Sequence, residues 1–309
     1  MQYPFVILVV SLLIFFNGNA MEQTQKIVKV NELSLWTESF GDAKDTACLL
    51  ICGAGAPAKF WTDRFCQSIA DKGFFVIRYD HRDQGMSSSV DFDKNPYTVL
   101  DLANDAAFIL DAYEISKAHI VGHSMGGMIA QALAIHHPNR LFTMTSMCVS
   151  TVGEGKAPPK EVMDVLLQNK PTQDFDADLP NFMQSWRVLN GDIEIDEEIA
   201  IAYTKDFYER SRLPVGVAWN HIRCQERLGD ISEELSKISI PTLFIAGEKD
   251  VMMPKARVFL ENAKLVPKSK CVIIPKMGHM FFNRCLEDMI SGTLLQFFPS
   301  RLYKTLFNS

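Results

Sequence analysis

Residues 118–131 read AHIVGHSMGGMIAQ, which indicates a short strand, a tight turn and a helix. Ala118 to Val121 is apolar, and Met128 to Ala134 is rich in good helix formers. The turn between them, Gly122-His123-Ser124-Met125-Gly126, fits the G-x-S-x-G pattern of a nucleophile elbow. Glycine is expected on both sides of the serine, because side chains there would collide with the backbone of so sharp a turn. The pattern therefore predicts a serine hydroxyl held above the end of a strand.

A glycine-rich turn before a helix has a second explanation, in which Ser124 is an ordinary helix-capping serine. The five-residue pattern does not separate the two roles, but the strand before it and the helix after it favour the elbow. A nucleophile in this position would lie at a helix N-terminus. Peptide N–H groups and the positive end of the helix dipole stabilise an anion there.

The chain has 309 residues, enough for one large α/β domain with an insertion or for two domains. Hydrophobic residues make up 47% of it and charged residues 22%, so a large buried core is expected and disorder is not. The net charge is -6 and no basic aromatic stripe is present, which argues against a nucleic-acid partner.

The N-terminus resembles a signal peptide, because residues 5–16 form a long apolar run and Gly18-Asn19-Ala20 offers small residues for cleavage. The run is too short to span a bilayer comfortably, so no stable membrane span is expected in the mature chain. We therefore predict that residues 1–20 are a signal peptide and that the protein is secreted or periplasmic. The positive residues that usually precede such a core are missing. Translation from Met21 is the alternative, and it would leave the protein in the cytoplasm.

The seven cysteines favour reduced thiols, which are more typical of the cytoplasm. Their odd number leaves at least one unpaired, and most lie in apolar runs such as Leu49-Leu50-Ile51-Cys52. A free cysteine in such a run behaves as a small hydrophobic residue. The chain has no C-x-x-C pair, and we predict neither a metal site nor a cofactor.

Apolar strands alternate with helical patterns up to about Val149 and again from Ile240 onward, which is typical of βαβ units in a mostly parallel sheet. Two alternating runs, Lys26 to Val30 and Leu33 to Phe40, predict an antiparallel hairpin at its start. Between the two α/β parts lie prolines, aromatic residues and helical periods, without a convincing strand. We predict an α/β core at residues 21–152 and 237–309, with a helical cap or lid inserted at residues 153–236.

A serine hydroxyl needs a base to take its proton, and the base needs a carboxylate to orient it. Asp250 comes just after the buried strand that starts near Ile240, and His279 comes after the last strand, Cys271 to Ile274. The carboxyl ends of parallel strands meet at one edge of a sheet, where ligands bind. The order Ser124, Asp250, His279 is expected for a hydrolase of this architecture, so we predict that these residues form a catalytic triad.

The sequence places other histidines away from this role. His119 lies inside the strand before the elbow, His123 adjoins the serine and is expected to project away from it, and His221 lies in the insertion. His81 lies in a charged turn that we interpret as structural. We interpret the charges of Arg82 and Asp83 as holding that turn in place.

Several motifs resemble the α/β-hydrolase superfamily over nearly all of residues 26–298, and most closely its aclacinomycin methylesterase-like serine esterases. They are the elbow with Met125, the run Val76-Ile77-Arg78-Tyr79-Asp80-His81-Arg82-Asp83 with Gly85, and Asn95-Pro96-Tyr97. Asp83 stands where the superfamily usually has glycine, and this aspartate is a mark of the subgroup. Cys52 precedes Gly53 where a His-Gly pair is common, a change that leaves the backbone donors of the loop in place.

The resemblance implies an α/β-hydrolase fold, a mostly parallel sheet flanked by helices with a helical lid. It also implies an oxyanion hole made by the N–H groups of Ala54 and Met125. Ser124 would attack a small hydrophobic ester, a methyl ester of a hydrophobic acid among the candidates, while His279 transfers the proton and Asp250 orients the imidazole.

The same triad would also serve a carbon–carbon bond hydrolase, a thioesterase or a cofactor-free perhydrolase, because these activities share fold and residues. A ligand-binding, receptor-like module that retained the pocket is an alternative of a different class. The sequence does not decide among these activities, and it does not decide the oligomeric state.

Overall fold

The structure is a computed structural model that describes residues 9–11, 23–149, 159–167, 172, 174–210, 218–225, 231–253 and 257–298. Apart from Val9–Ser11, the predicted signal peptide lies outside these ranges, and export stays a prediction. No helix within them is both long enough and apolar enough to cross a membrane.

Nine strands of the described chain form one sheet: β1 (Val9–Ser11), β2 (Thr24–Val30), β3 (Leu33–Phe40), β4 (Thr46–Ile51), β5 (Phe74–Tyr79), β6 (Ala118–His123), β7 (Leu141–Met147), β8 (Thr242–Gly247) and β9 (Ser269–Ile274). Their spatial order is β1-β2-β3-β5-β4-β6-β7-β8-β9. The pairs from β5 across to β9 are parallel, whereas β1, β2, β3 and β5 pair antiparallel. The predicted hairpin is therefore β2–β3, at the antiparallel side of the sheet.

The described residues form ten α-helices: α1 (Asp63–Ala70), α2 (Val99–Ala112), α3 (Met125–His136), α4 (Lys160–Leu167), α5 (Phe175–Asn190), α6 (Glu197–Arg210), α7 (Ala218–Gln225), α8 (Ser232–Ser236), α9 (Arg257–Leu265) and α10 (Arg284–Phe297). Helices α2, α3, α8 and α9 contribute apolar side chains to the core on one face of the sheet. Helices α1 and α10 contribute to the core on the other face. Because both faces are covered, the residues of the parallel strands β4, β6 and β8 are almost entirely buried, and the predicted sheet flanked by helices is confirmed.

The segment between β7 and β8 contains helices α4 to α8 and, within its described residues, no strand. Helices α5 and α6 pack against each other, and α6 contacts the short 3-10 helix Ala58–Phe60 that follows β4. Helix α8 packs against the core helices α3 and α9. One isolated bridge joins Gly191, just after α5, to Met277 in the loop after β9. The segment therefore contacts the two loops that follow β4 and β9.

Candidate active site

Ser124 lies at the junction of β6 and α3 with a positive φ of 54°, a conformation that L residues rarely adopt. The two glycines of the elbow allow this turn. A Cβ on Gly122 would lie 2.0 Å from the carbonyl oxygen of Gly126, and one on Gly126 would lie 2.3 Å from that of Ile51. Neither position accepts a side chain without a backbone shift, so the glycines hold the Ser124 hydroxyl at the end of the sheet.

The structure brings Ser124, His279 and Asp250 together although 155 and 29 positions separate the bonded pairs. Nε2 of His279 lies 3.1 Å from Oγ of Ser124, and Nδ1 lies 2.9 Å from Oδ2 of Asp250. Asp250 and His279 are buried, while Ser124 is partly exposed. An ionised carboxylate only accepts hydrogen bonds, so Nδ1 donates and Nε2 is left to accept the serine proton.

Backbone N–H groups fix the Asp250 carboxylate in place. Its Oδ1 accepts from the N–H groups of Met252 and Met253 at 2.9 and 3.0 Å, which leaves Oδ2 for His279. The buried thiol of Cys148 lies nearby, and burial together with the Asp250 charge raises the pKa of that thiol well above its usual value. The carboxylate is therefore both oriented and hydrogen-bonded while it faces the imidazole.

The loop that carries His279 is held by the end of helix α5. The N–H groups of Gly278 and Met280 donate to the carbonyl oxygens of Asn190 and Leu189 at 3.0 and 2.9 Å. These two bonds lie on either side of His279 in the sequence, so they fix the backbone from which its imidazole projects. Sequence reasoning missed this support, because nothing local in α5 points to a partner about 90 positions away.

His123 has a role that the sequence did not predict. Its Nε2 donates to the carbonyl oxygen of His279 at 2.8 Å, and its ring lies against Phe60 with centroids 4.5 Å apart. Burial lowers the pKa of His123 to about 3, so the ring is neutral at working pH. The residue next to Ser124 thus adds a third hydrogen bond to the backbone that carries His279.

The two predicted oxyanion donors lie on either side of Ser124. Met125 is the first residue of α3, and Ala54 is in the loop after β4. The neighbouring Gly53 lets this loop approach, since a Cβ there would lie only 3.1 Å from Cβ of Ser124. Among the hydrogen bonds of the described residues, none uses the N–H of Ala54 or of Met125. Both N–H groups are therefore available to a ligand at the serine.

The charged turn after β5 is bonded to several elements. Arg82 forms a bidentate pair with Asp105 at 2.7 and 2.6 Å. Asp83 has a positive φ of 66°, and its carboxylate accepts from the hydroxyl of Tyr97 at 2.7 Å and from the side-chain amide of Asn220 at 3.0 Å. The sequence indicated that these charges hold the turn, but it did not indicate that Asn220 in α7 is one of the partners.

Three potential metal ligands lie close together, but their chemistry does not fit a metal ion. One ligand atom each from His123, Cys148 and His279 lie within 4.8 Å of one another. Both nitrogens of His279 and Nε2 of His123 are already hydrogen-bonded. The raised pKa of Cys148 keeps it a thiol, whereas metals bind the thiolate. All seven cysteines are described, and none is in a disulfide.

Comparison with known proteins identifies the family. A model of the alpha/beta hydrolase fold family matches residues 48–283. The chain is similar to rhodomycin D methylesterase DauP of Streptomyces sp. (strain C5) and DnrP of Streptomyces peucetius, each 32% identical over 280 residues, covering 82% of this chain and 91% of the relative.

A solved structure of 2-hydroxy-6-oxo-6-phenylhexa-2,4-dienoate hydrolase from Rhodococcus sp. strain RHA1 shares the fold, with a TM-score of 0.75 at 19% identity. The match covers 91% of this chain and 100% of that one. The resemblance predicted from the motifs is thereby confirmed. The chain belongs to the alpha/beta hydrolase fold family and is a hydrolase.

Proposed function

We propose that the protein is a serine esterase that cleaves carboxylic esters through an acyl-enzyme intermediate. The observation that carries this proposal is the hydrogen-bonded chain from Asp250 through His279 to Ser124, which ends on a strained nucleophile elbow. A hydroxyl in that position is activated by an oriented base, and a helix N-terminus lies beside it.

The reaction follows from the geometry. Oγ of Ser124 attacks the ester carbonyl carbon while its proton passes to Nε2 of His279. The carbonyl oxygen becomes an oxyanion, which the N–H groups of Ala54 and Met125 stabilise. The intermediate expels the alcohol, which takes the proton from His279, and leaves an acyl group on Ser124. A water molecule activated by His279 then attacks the acyl group, so that the acid leaves and the serine regains its proton.

The substrate we propose is an ester with a hydrophobic acyl group, a methyl ester among the candidates. Three buried phenylalanines lie close to the triad: Phe281 and Phe282 follow His279 in the loop, and Phe60 packs against His123. Apolar side chains this close to the triad favour a ligand with apolar surface. The methylesterase names of the relatives support the same substrate class. Nothing in these relatives favours the carbon–carbon hydrolase, thioesterase, perhydrolase or receptor alternatives.

We further propose that helices α4 to α7 form a lid over the site. Helix α5 is bonded to the loop that carries His279, and α6 packs beside the helix that follows the Ala54 loop. Ring contacts link Tyr203 and Trp186 of these helices to Phe282. The helices therefore place aromatic side chains against Phe282, three residues after His279, as a substrate-selecting lid requires.

The test combines labelling and turnover. Wild-type protein is expected to bind a fluorophosphonate covalently at Ser124 and to hydrolyse a panel of esters that vary in acyl and alcohol size. Ser124→Ala should lose both, with turnover reduced on the order of 10⁴-fold or more, because acyl transfer cannot begin. Ser68→Ala, which changes a serine on α1, is the matched control and should behave as wild type. Turnover by Ser124→Ala within tenfold of wild type would refute the proposal.

A further inference from the structure

We propose that His221, in helix α7 of the predicted lid, is a positioning residue for the oxyanion loop, which we define as residues 53–56. The inference rests on the function proposed above and adds a role for the lid in the chemical step. The juxtaposition behind it is direct: a side chain from α7 is hydrogen-bonded to the backbone of this loop, 166 positions away in the chain.

His221 bridges two loops with its two ring nitrogens. The N–H of Gly55 donates to Nδ1 at 3.0 Å, and Nε2 donates to the carbonyl oxygen of Arg82 at 2.8 Å. A ring that accepts at one nitrogen and donates at the other is a neutral histidine of defined tautomer. His221 is fully buried, and burial lowers its pKa, so the neutral form persists at working pH.

This bond acts on the peptide next to the proposed oxyanion donor. The N–H of Gly55 belongs to the Ala54–Gly55 peptide, and Gly55 has a positive φ of 66°. The loop also has a backbone hydrogen bond of its own, from the N–H of Ala56 to the carbonyl oxygen of Gly53. At 3.3 Å it is longer than the bond to His221. Without His221, the Ala54–Gly55 peptide loses this restraint, and the adjoining Gly53–Ala54 peptide, which carries the Ala54 N–H, is held less firmly at the oxyanion position.

Helix α7, which carries His221, is itself bonded to the turn after β5. Asn220 donates to Asp83, and the His221 ring lies edge-on to His81, with ring centroids 5.7 Å apart. Nε2 of His81 in turn donates to the carbonyl of Cys52, one residue before the oxyanion loop. Asp83, the aspartate that replaces the usual glycine, thus holds the helix that holds the loop.

Helix α6 is bonded to the same turn. The guanidinium of Arg210 pairs with the buried carboxylate of Asp80, whose Oδ1 also accepts from the N–H of Ala58 at 2.7 Å. Arg210 lies over the ring of Trp36, 3.9 Å from its centroid. Helices α6 and α7 are therefore both bonded to the turn after β5. The contacts that start from them end at the backbone N–H groups of Ala58 and Gly55, both within five residues of Ala54.

Two substitutions separate the two bonds of His221. Asparagine places its carbonyl oxygen near the position of Nδ1, so His221→Asn keeps an acceptor for the Gly55 N–H. Glutamine places its amide nitrogen near the position of Nε2, so His221→Gln keeps the donor to Arg82 and loses the acceptor. Arg223→Ala is the control on the same helix, because it removes an ion pair with Asp93 and a ring contact with Phe92 and leaves both hydrogen bonds of His221 in place.

We expect His221→Gln to lower kcat for a small ester about 30-fold with KM changed less than threefold, because a misplaced oxyanion donor weakens the transition state alone. His221→Asn should lose less than about fivefold, and Arg223→Ala less than twofold. Inhibition by a trifluoromethyl ketone, which forms a hemiketal oxyanion on the serine, should weaken by the same factor as kcat falls. End-point fluorophosphonate titration counts folded active sites, so kcat is compared per site even if a variant is less stable.

The inference is overturned if His221→Gln retains wild-type kcat per site, or if the Gln and Asn variants lose kcat equally. If both variants lose kcat equally, and the loss is proportional to the drop in melting temperature, then His221 only stabilises the fold. A failure of the esterase proposal looks different. In that case the wild type is not labelled by the fluorophosphonate, or Ser124→Ala still turns over esters. Once the wild type is labelled and Ser124→Ala is inactive, the comparison of the His221 variants tests only the role of His221 at the oxyanion loop.

Discussion

Nε2 of His123 donates a hydrogen bond to the carbonyl oxygen of His279, 2.8 Å away. The residue next to the proposed nucleophile therefore holds the backbone of the proposed base. The ring is buried between Phe60 and Phe281, which prevents it from turning away. The distance between nucleophile and base is thus set within one rigid unit of backbone and aromatic rings.

This contact predicts the effect of substitutions at His123. His123→Leu leaves the buried carbonyl of His279 without a donor, which costs about 1–3 kcal/mol and lets the base move. We expect kcat/KM for a small ester to fall about 10- to 100-fold. His123→Gln keeps an amide donor in reach and should retain most of the activity. Steady-state kinetics of both variants check this, and equal activities for Leu and Gln would show that the hydrogen bond has no catalytic effect.

Asp250→Asn should impair catalysis without unfolding the protein. The side-chain oxygen of asparagine still accepts from the N–H groups of Met252 and Met253. Its amide then faces Nδ1 of His279 as a donor, which forces the imidazole proton onto Nε2 and towards Ser124. We expect kcat to fall about 10³- to 10⁴-fold, as for other triads with the wrong tautomer. Kinetics and a melting curve test this, and normal turnover would mean that Asp250 is only a turn residue.

The lid is predicted to select substrates through Trp186. Its ring lies against Tyr203 and Phe282, and its Nε1 donates to Thr204 at 2.8 Å. Trp186→Leu removes apolar surface from this cluster, so KM for a bulky ester should rise about tenfold, equivalent to about 1.4 kcal/mol. A small ester should change by less than about threefold.

The matched control for the lid prediction is Trp219→Leu on α7. Trp219 is 50% exposed, so less contact is lost there and smaller effects are expected on every ester. The comparison is made as kcat/KM across the same ester panel. Equal losses of Trp186→Leu on small and bulky esters would show that the tryptophan only holds the lid together.

Asp206 on α6 predicts a pH-dependent stability change. Within the described residues its buried Oδ2 accepts no hydrogen bond and lies 3.4 Å from Nε of Arg210, and burial outweighs this cation and raises the pKa of Asp206 to about 6. The folded protein therefore binds this proton more tightly than the unfolded chain, and stability is lost as pH rises through about 6. Asp206→Asn should raise the free energy of unfolding at pH 8 by at most about 3 kcal/mol, and by much less at pH 4.5.

Thermal or urea unfolding at the two pH values measures this difference. Glu209→Gln is the control, because Glu209 lies on the same helix with a side chain 65% exposed. It should show little change at either pH. A gain for Asp206→Asn that is equal at pH 4.5 and pH 8 would show that ionisation of Asp206 is not its cause.

Much of the core could be predicted from local patterns. The two glycines around Ser124, the apolar strands and the acidic and imidazole side chains after β8 and β9 all follow from turn chemistry and periodicity. In a parallel sheet these strand ends meet at one edge, so the proximity of Ser124, Asp250 and His279 followed from topology. Each of these inferences uses a few neighbouring residues and a general rule of connection.

The residues that hold the catalytic groups in place could be identified only from the tertiary structure. His123 was identified in the sequence only as a neighbour of the serine, and His221 only as a residue of the insertion. Their partners, the carbonyl of His279 and the N–H of Gly55, lie 156 and 166 positions away. No periodicity encodes which buried polar groups will meet across such distances, because that depends on how loops and helices far apart in the sequence pack on the sheet. Local chemistry therefore specifies the reacting groups, and packing alone decides what holds them in place.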